Sequence, residues 1–288
     1  MKPFPFPVRV SGAGSQPEGD EVLQYLAMPS EMSTFRMPRV PDAAPPGAMA
    51  VAREVLAMFA RLLDGASQAS LPPLPLDLAY VPHDARKVLN EVLGEGEVAV
   101  RIDGRQQVRI QESVFTGVWR VCTFDERDTL IGDWLEASPV PAIVVDAARA
   151  RTSNAIAPVA MPRGTMNAPS LLAEIGAAMA SRTPGAPAHV LNLTLFPLSP
   201  EDQQVLERAL PVGGVAIMSR GFGQCRISST LARDVWRVQY FNSMSTLILD
   251  TIEVVEVPDV AVAAPEDLAD SRERLAELLE WMGEACTA

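Results

Sequence analysis

The string Val118-Trp119-Arg120-Val121 returns as Val235-Trp236-Arg237-Val238, 117 positions further along the chain. Sliding the chain on itself by this offset aligns Val81 to Pro141 with Leu198 to Pro258 without a gap, with about 22 identities in 61 positions. The matches include residues that a fold depends on: Gly96 with Gly213, Gly104 with Gly221, Phe124 with Phe241, Asp133 with Asp250 and Pro141 with Pro258. A self-similarity of this length is read before anything else, because missing it misassigns the architecture.

Working outward from the twin strings, period-two alternation and turn residues place four strands in the first copy, near 97–103, 106–112, 118–124 and 129–136, with equivalents in the second. Asp103-Gly104 and Arg220-Gly221 are tight-turn dipeptides between them. Upstream, Met49, Val55, Leu56, Phe59, Leu62 and Leu63 recur at helical spacing over 46–63, and the counterpart is a shorter helix over 170–180 closed by Pro184-Gly185. A short strand follows each helix, at 74–78 and 190–196, and then a second helix that opens at Pro82-His83-Asp84 or at Ser199-Pro200-Glu201-Asp202, the latter close to a capping box. The expected fold is α+β: two tandem pseudo-symmetric repeats, each helix-strand-helix followed by a four-stranded antiparallel meander. The domain plan is a proline-rich extended arm over 1–45, repeats over 46–146 and 168–260, a linker over 147–167, and a C-terminal amphipathic helix within 261–288.

A two- or four-residue loop within 125–128 makes residues whose numbers sum to about 253 face each other, which sets Arg120 opposite Asp133 and, in the second copy, Arg237 opposite Asp250. One cross-strand ion pair per repeat is therefore expected, flanked by Ile131, Leu135, Ile248 and Ile252. The competing reading makes the two arginines ligands for a carboxylate or phosphate. Trp119 and Trp236 read as core anchors rather than a binding cage.

The net charge of -12 disfavours nucleic acid as a partner and suits a basic one. Prolines break the opening residues, which lack the apolar run of a signal peptide, and no window approaches a membrane span, so the expected compartment is the cytoplasm without membrane insertion. Cys122, Cys225 and Cys286 form no CxxC and no disulfide framework. His83 and His189 have no partner at the matching position of the other copy, no phosphate-loop, zinc-protease or EF-hand spacing exists, and Asp133 with Glu136 is separated by an odd number along a strand, which sends the two carboxylates to opposite faces. No catalytic residue and no cofactor is therefore assigned, and the protein is not expected to be an enzyme. Cys225, after the glycine turn at 221–223 and before Arg226, is a candidate iron or cluster ligand against the commoner role of a small core residue. The last helix lines Leu268, Leu275, Leu278, Leu279 and Met282 along one side and carries Glu273, Glu277 and Glu280 among its exposed acids, which are candidates for contact with a basic partner segment.

Several strings carry a family likeness: 110–115 (Ile110-Gln111-Glu112-Ser113-Val114-Phe115) running into Gly117-Val118-Trp119-Arg120-Val121; Gln239-Tyr240-Phe241-Asn242-Ser243 with 247–254; and Glu266-Asp267 with 270–275. Together with the arm from Met28-Pro29 to Phe35-Arg36, they resemble the HupH/HyaF hydrogenase expression/formation proteins over most of the chain. The resemblance implies an accessory protein for maturation of NiFe hydrogenases, acting in the cytoplasm before export as a chaperone for the iron-sulfur small subunit or its precursor, and working alongside other hydrogenase maturation proteins. It implies no catalytic residues. The alternatives are an iron-sulfur assembly or repair factor using Cys225, and a scaffold for other maturation proteins.

Overall fold

In a computed structural model, residues 45–66, 75–220 and 224–285 are described. The arm over 1–45 lies almost wholly outside them, as do Gly221, Gly223 and Cys286. In chain order the described residues form α1 (Pro46–Ala66), β1 (Leu76–Asp77), α2 (His83–Leu93), β2 (Val98–Ile102), β3 (Gln107–Glu112), β4 (Val118–Phe124), β5 (Leu130–Ala137), α3 (Ala142–Arg149), α4 (Ala168–Ser181), β6 (His189–Asn192), α5 (Pro200–Ala209), β7 (Val212–Ser219), β8 (Gln224–Thr230), β9 (Val235–Phe241), β10 (Leu247–Val254) and α6 (Pro265–Ala285). The fold is α+β, six helices around one sheet of ten antiparallel strands in the order β1-β5-β4-β3-β2-β7-β8-β9-β10-β6. The β2–β7 pairing, from Val98 opposite Ser219 to Ile102 opposite Val215, makes that sheet continuous.

Alternation along the strands fixes which core each side chain joins. Val118, Leu135 and Ala137 point to a core under α1, α2 and α6, and Val235, Ile252 and Val254 point from the same face to a core under α4 and α5. Trp119, Val121, Trp236 and Val238 point the other way, into a core that spans the β2–β7 junction and is covered by Val144 and Ala148 of α3. Burying each such side chain contributes about 2 kcal/mol.

Three expectations are corrected. Among the described residues the short strands expected at 74–78 and 190–196 are β1 and β6, with Leu74 lying outside them; residues Leu193–Leu195 turn into a 3-10 helix because Asn192 Oδ1 accepts the Thr194 N–H at 3.0 Å. The stretch at 147–167 begins inside α3, and Ser153 pins it to the body through hydrogen bonds with Leu231 O and Arg233 N–H.

The third is register. Arg120 faces Leu135 and Asp133 faces Cys122, while Arg237 faces Ile252 and Asp250 faces Gln239. Two one-residue displacements produce this. The first is the hairpin loop: Asp125 pairs with Thr129 and encloses three residues, the last of which, Asp128, has φ 60. Asn242 and Thr246 enclose an equivalent loop ending at Ser245, also φ 60. The second is a β-bulge in each β5- or β10-type strand, at Ile131 and at Ile248. Displacements of one and one sum to two, which preserves the face of every side chain. The bulged Ile131 and Ile248 are 51% and 56% exposed, unlike the buried Leu135 and Ile252.

Candidate functional site

Because parity survives the register change, the arginines still reach their aspartates, diagonally. Arg120 Nε and Nη2 donate to Asp133 Oδ1 and Oδ2 at 3.0 and 2.9 Å, and Arg237 repeats the fork on Asp250 at 3.0 and 2.7 Å. Arg120 Nη1 also donates to Asn90 of α2. Burial opposes the Arg120 charge, but Asp133 more than offsets it and holds the guanidinium above its ordinary range. Burial pushes the adjacent Cys122 thiol up to about 11. A second pair of contacts is shared by the halves: Arg109 lies 4.3 Å over the Phe124 ring and Arg226 4.7 Å over Phe241.

Both tryptophans are fully packed. Trp119 Nε1 donates to Ser138 O at 2.8 Å, and Trp236 Nε1 to Val255 O and Glu256 O, each at 3.1 Å. Cys225 is 2% exposed and opposite Tyr240, and burial pushes its thiol up to about 12, so it is protonated at neutral pH and poor as a nucleophile or ligand. Among the described residues, no three His, Cys, Asp or Glu side chains assemble as a metal set. His189 Nε2 lies 3.0 Å from Glu174 Oε1 at an exposed position, and His83 is 3.7 Å from Asp84 on the first turn of α2.

The amphipathic stripe of α6 seats Leu275 and Met282 in the core beneath α1, and Leu268 fills the space beside Gly117. Arg274 turns toward the body, donating to Val114 O at 3.3 Å and lying 5.6 Å over Phe115. Arg274 also lies 3.7 Å from Asp270, and Glu266, Asp267, Glu273, Glu277 and Glu280 stand with Asp270 at exposed positions of the helix. Trp281, four residues after Glu277, stands among them 51% exposed. An exposed tryptophan within a charged face is an arrangement that carries binding energy at protein interfaces.

Two groups escaped the sequence reading. Glu112 is buried beside Trp119, where its Oε1 accepts the Gly117 N–H at 3.2 Å; burial pushes its carboxyl up to about 7. The other is a cleft where Asp234 accepts from Arg149 Nε at 2.8 Å and from Arg182 Nε at 3.0 Å, while Arg149 Nη1 meets Glu256 at 2.7 Å. Its members lie 85 and 52 positions apart, so no local spacing announces them. A signal did exist for Asp202: its capping box was legible, but not that the same carboxylate also accepts the Met166, Asn167 and Ala168 N–H groups that start α4.

The site's character is therefore that of an α+β protein whose conspicuous features are charged surfaces, with no helix among the described residues long and apolar enough to cross a membrane. Comparison with known proteins narrows this. The pattern of the family described as HupH hydrogenase expression protein, C-terminal conserved region, matches residues 47–158 and again residues 165–282. The chain is 45% identical over 284 residues to the hydrogenase expression/formation protein HoxQ of Cupriavidus necator, covering 98% of this chain and 99% of that one. It is 41% identical to HupH of Rhodobacter capsulatus, covering 93% and 94% of the two chains, and 33% identical to the hydrogenase-1 operon protein HyaF of Escherichia coli, covering 95% and 96%. The chain belongs to the HupH hydrogenase expression protein family.

Proposed function

We propose that the protein is an accessory factor in NiFe hydrogenase maturation, a non-enzymatic cytoplasmic chaperone that binds the iron-sulfur small subunit or its precursor before export. Relatives named as hydrogenase expression/formation proteins support the hydrogenase role. The observation that carries the binding reading is the exposed face of α6, where Glu273, Glu277 and Glu280 accompany Trp281. The family resemblance implies a precursor with a twin-arginine leader, and an acidic face around an apolar anchor is complementary to such a segment. The two matches to one family pattern, and strands β4 and β9 separated by the same 117 positions as β5 and β10, support a tandem duplication as the origin of the two halves. The alternative that makes Cys225 a reactive cluster ligand has its thiol buried and protonated.

The test is capture of the small-subunit precursor by the full-length protein, with and without charge reversal at Glu273, Glu277 and Glu280. Reversal weakens capture by about tenfold at low salt, and added salt weakens the unmodified protein's binding in the same direction. Salt-insensitive capture, or capture unchanged by the reversal, contradicts the α6 assignment. Other maturation proteins still recovered after the small subunit is deleted from the cells identify a scaffold instead.

A further inference from the structure

Arg149 at the end of α3, Arg182 just after α4, and Arg233 and Asp234 in the β8–β9 turn meet with Glu256 around a cleft of about 510 Å³. The fold does not require this cluster. The positions 117 earlier than Arg233, Asp234 and Glu256 are Thr116, Gly117 and Pro139, none of them charged. At Gly117 the space is filled by Leu268, and an added Cβ would collide with it. The Arg–Asp forks on the sheet, by contrast, stand in both halves.

Asp234 has φ 57, in the left-handed region where the other half has a glycine at φ 80. L-residues adopt that conformation at a cost, and Asp tolerates it better than most. The carboxylate is what the position gains: it braces Arg149 through Nε and Nη2 at 2.8 and 3.1 Å and Arg182 through Nε at 3.0 Å. Not every donor is used by this bracing. Arg182 Nη2 and the whole Arg233 guanidinium, which is exposed, have no hydrogen-bond acceptor among the described residues. Three guanidinium groups against the carboxylates of Asp234 and Glu256 leave one positive charge in a protein whose net charge is -12.

We propose that this cleft is a binding site for a carboxylate carried on an aliphatic group, received by Arg233 and Arg182. The planar fork of a guanidinium matches the two oxygens of a carboxylate. A single negative charge balances the cleft, whereas a phosphate dianion faces both Asp234 and Glu256. Met179, Ala180 and Pro184 form an apolar wall against which an aliphatic body packs. The two sources of such a group are the C-terminal residue of a polypeptide and a small free acid, and the site goes beyond the proposed chaperone role without resting on it.

The experiment is a titration of the full-length, isotope-labelled protein, reading the amide resonances of Arg233 and Asp234. The probes are N-acetyl-leucine, its uncharged amide, acetate and inorganic phosphate. N-acetyl-leucine gives saturable shifts at millimolar concentration, the amide gives none, and Arg233→Ala weakens binding by about tenfold, as expected for loss of a charged hydrogen bond. Arg233→Lys restores only part, since the fork is lost. Because Arg233 makes no side-chain hydrogen bond or ion pair among the described residues, its removal leaves the thermal transition unchanged, which separates loss of binding from loss of structure. Acetate binding as tightly as N-acetyl-leucine means that the wall of Met179, Ala180 and Pro184 adds nothing and overturns the aliphatic part of the proposal. Absence of saturation, equal shifts with the amide, tighter binding of phosphate, or undiminished binding by Arg233→Ala overturns the proposal.

Discussion

Trp119 and Trp236 hold the same place in the two halves of the sheet, each donating its indole N–H to a carbonyl 19 positions on. Gly117 and Asp234 hold the same place too, and there the halves part: one turn lies under Leu268 of α6, the other carries a carboxylate braced by two arginines. Glu112 and Ser229 differ likewise, a buried carboxyl beside Trp119 against a buried hydroxyl beside Trp236. Features present in both halves answer to the sheet, its packing and its register. A feature present in one half has to be explained by what that half alone does.

The comparison can be strained experimentally, beginning where agreement predicts the largest effect. Trp119→Ala and Trp236→Ala each destabilise the protein by about 4 kcal/mol, read from urea unfolding; a cost at Trp236 below half that at Trp119 means the halves do not lean equally on their anchors. The forks separate more finely. Arg120→Ala strands the buried Asp133 and costs about 3 kcal/mol, while Arg237→Ala costs about 1 kcal/mol because Arg237 and Asp250 are both more exposed than their counterparts. Equal losses refute that ranking.

Glu112 gives an asymmetric pH response. Its folded carboxyl titrates near 7, above the ordinary 4.5, so between those values the native protein holds a proton that the unfolded chain has released. Stability therefore falls as pH rises through that window and is level above it, by an amount on the order of 3 kcal/mol. Glu112→Gln removes the slope and raises the melting temperature at pH 8 relative to the unmodified protein; an unchanged slope refutes the assignment. The smallest effects are at the helix starts. Ser199→Ala opens the capping box of α5 and costs about 1 kcal/mol, while α2, whose N-cap Pro82 makes no side-chain cap, gains about 0.5 kcal/mol from Pro82→Ser, both measurable by thermal melts.

The capping box at Ser199 and Asp202, the span of β4 and β9 and the helical stripe of α6 were legible because each is a short-range pattern with one physical meaning. The loop length and the bulge at Ile131 were not, because a hairpin of Asp125 to Thr129 is compatible with several turns until its hydrogen bonds are known. The candidate site divides in the same way. The acids of α6 could be named in advance, whereas Trp281 reads equally as buried or exposed until the helix is docked on α1. Cys225 stood as a candidate ligand against the commoner role of a small core residue, and its side chain is packed in the core shared with Trp119 and Trp236.

By itself the sequence determined the two-part pattern of strands, the face of each strand residue and the pairing of arginine with aspartate, because alternation has period two and survives a register change of two residues. Only the tertiary structure decided that β2 and β7 join the halves into one sheet, and that Arg149, Arg182 and Arg233 converge on Asp234. Those contacts link segments far apart in the chain, and their energy depends on burial and geometry that no local spacing contains.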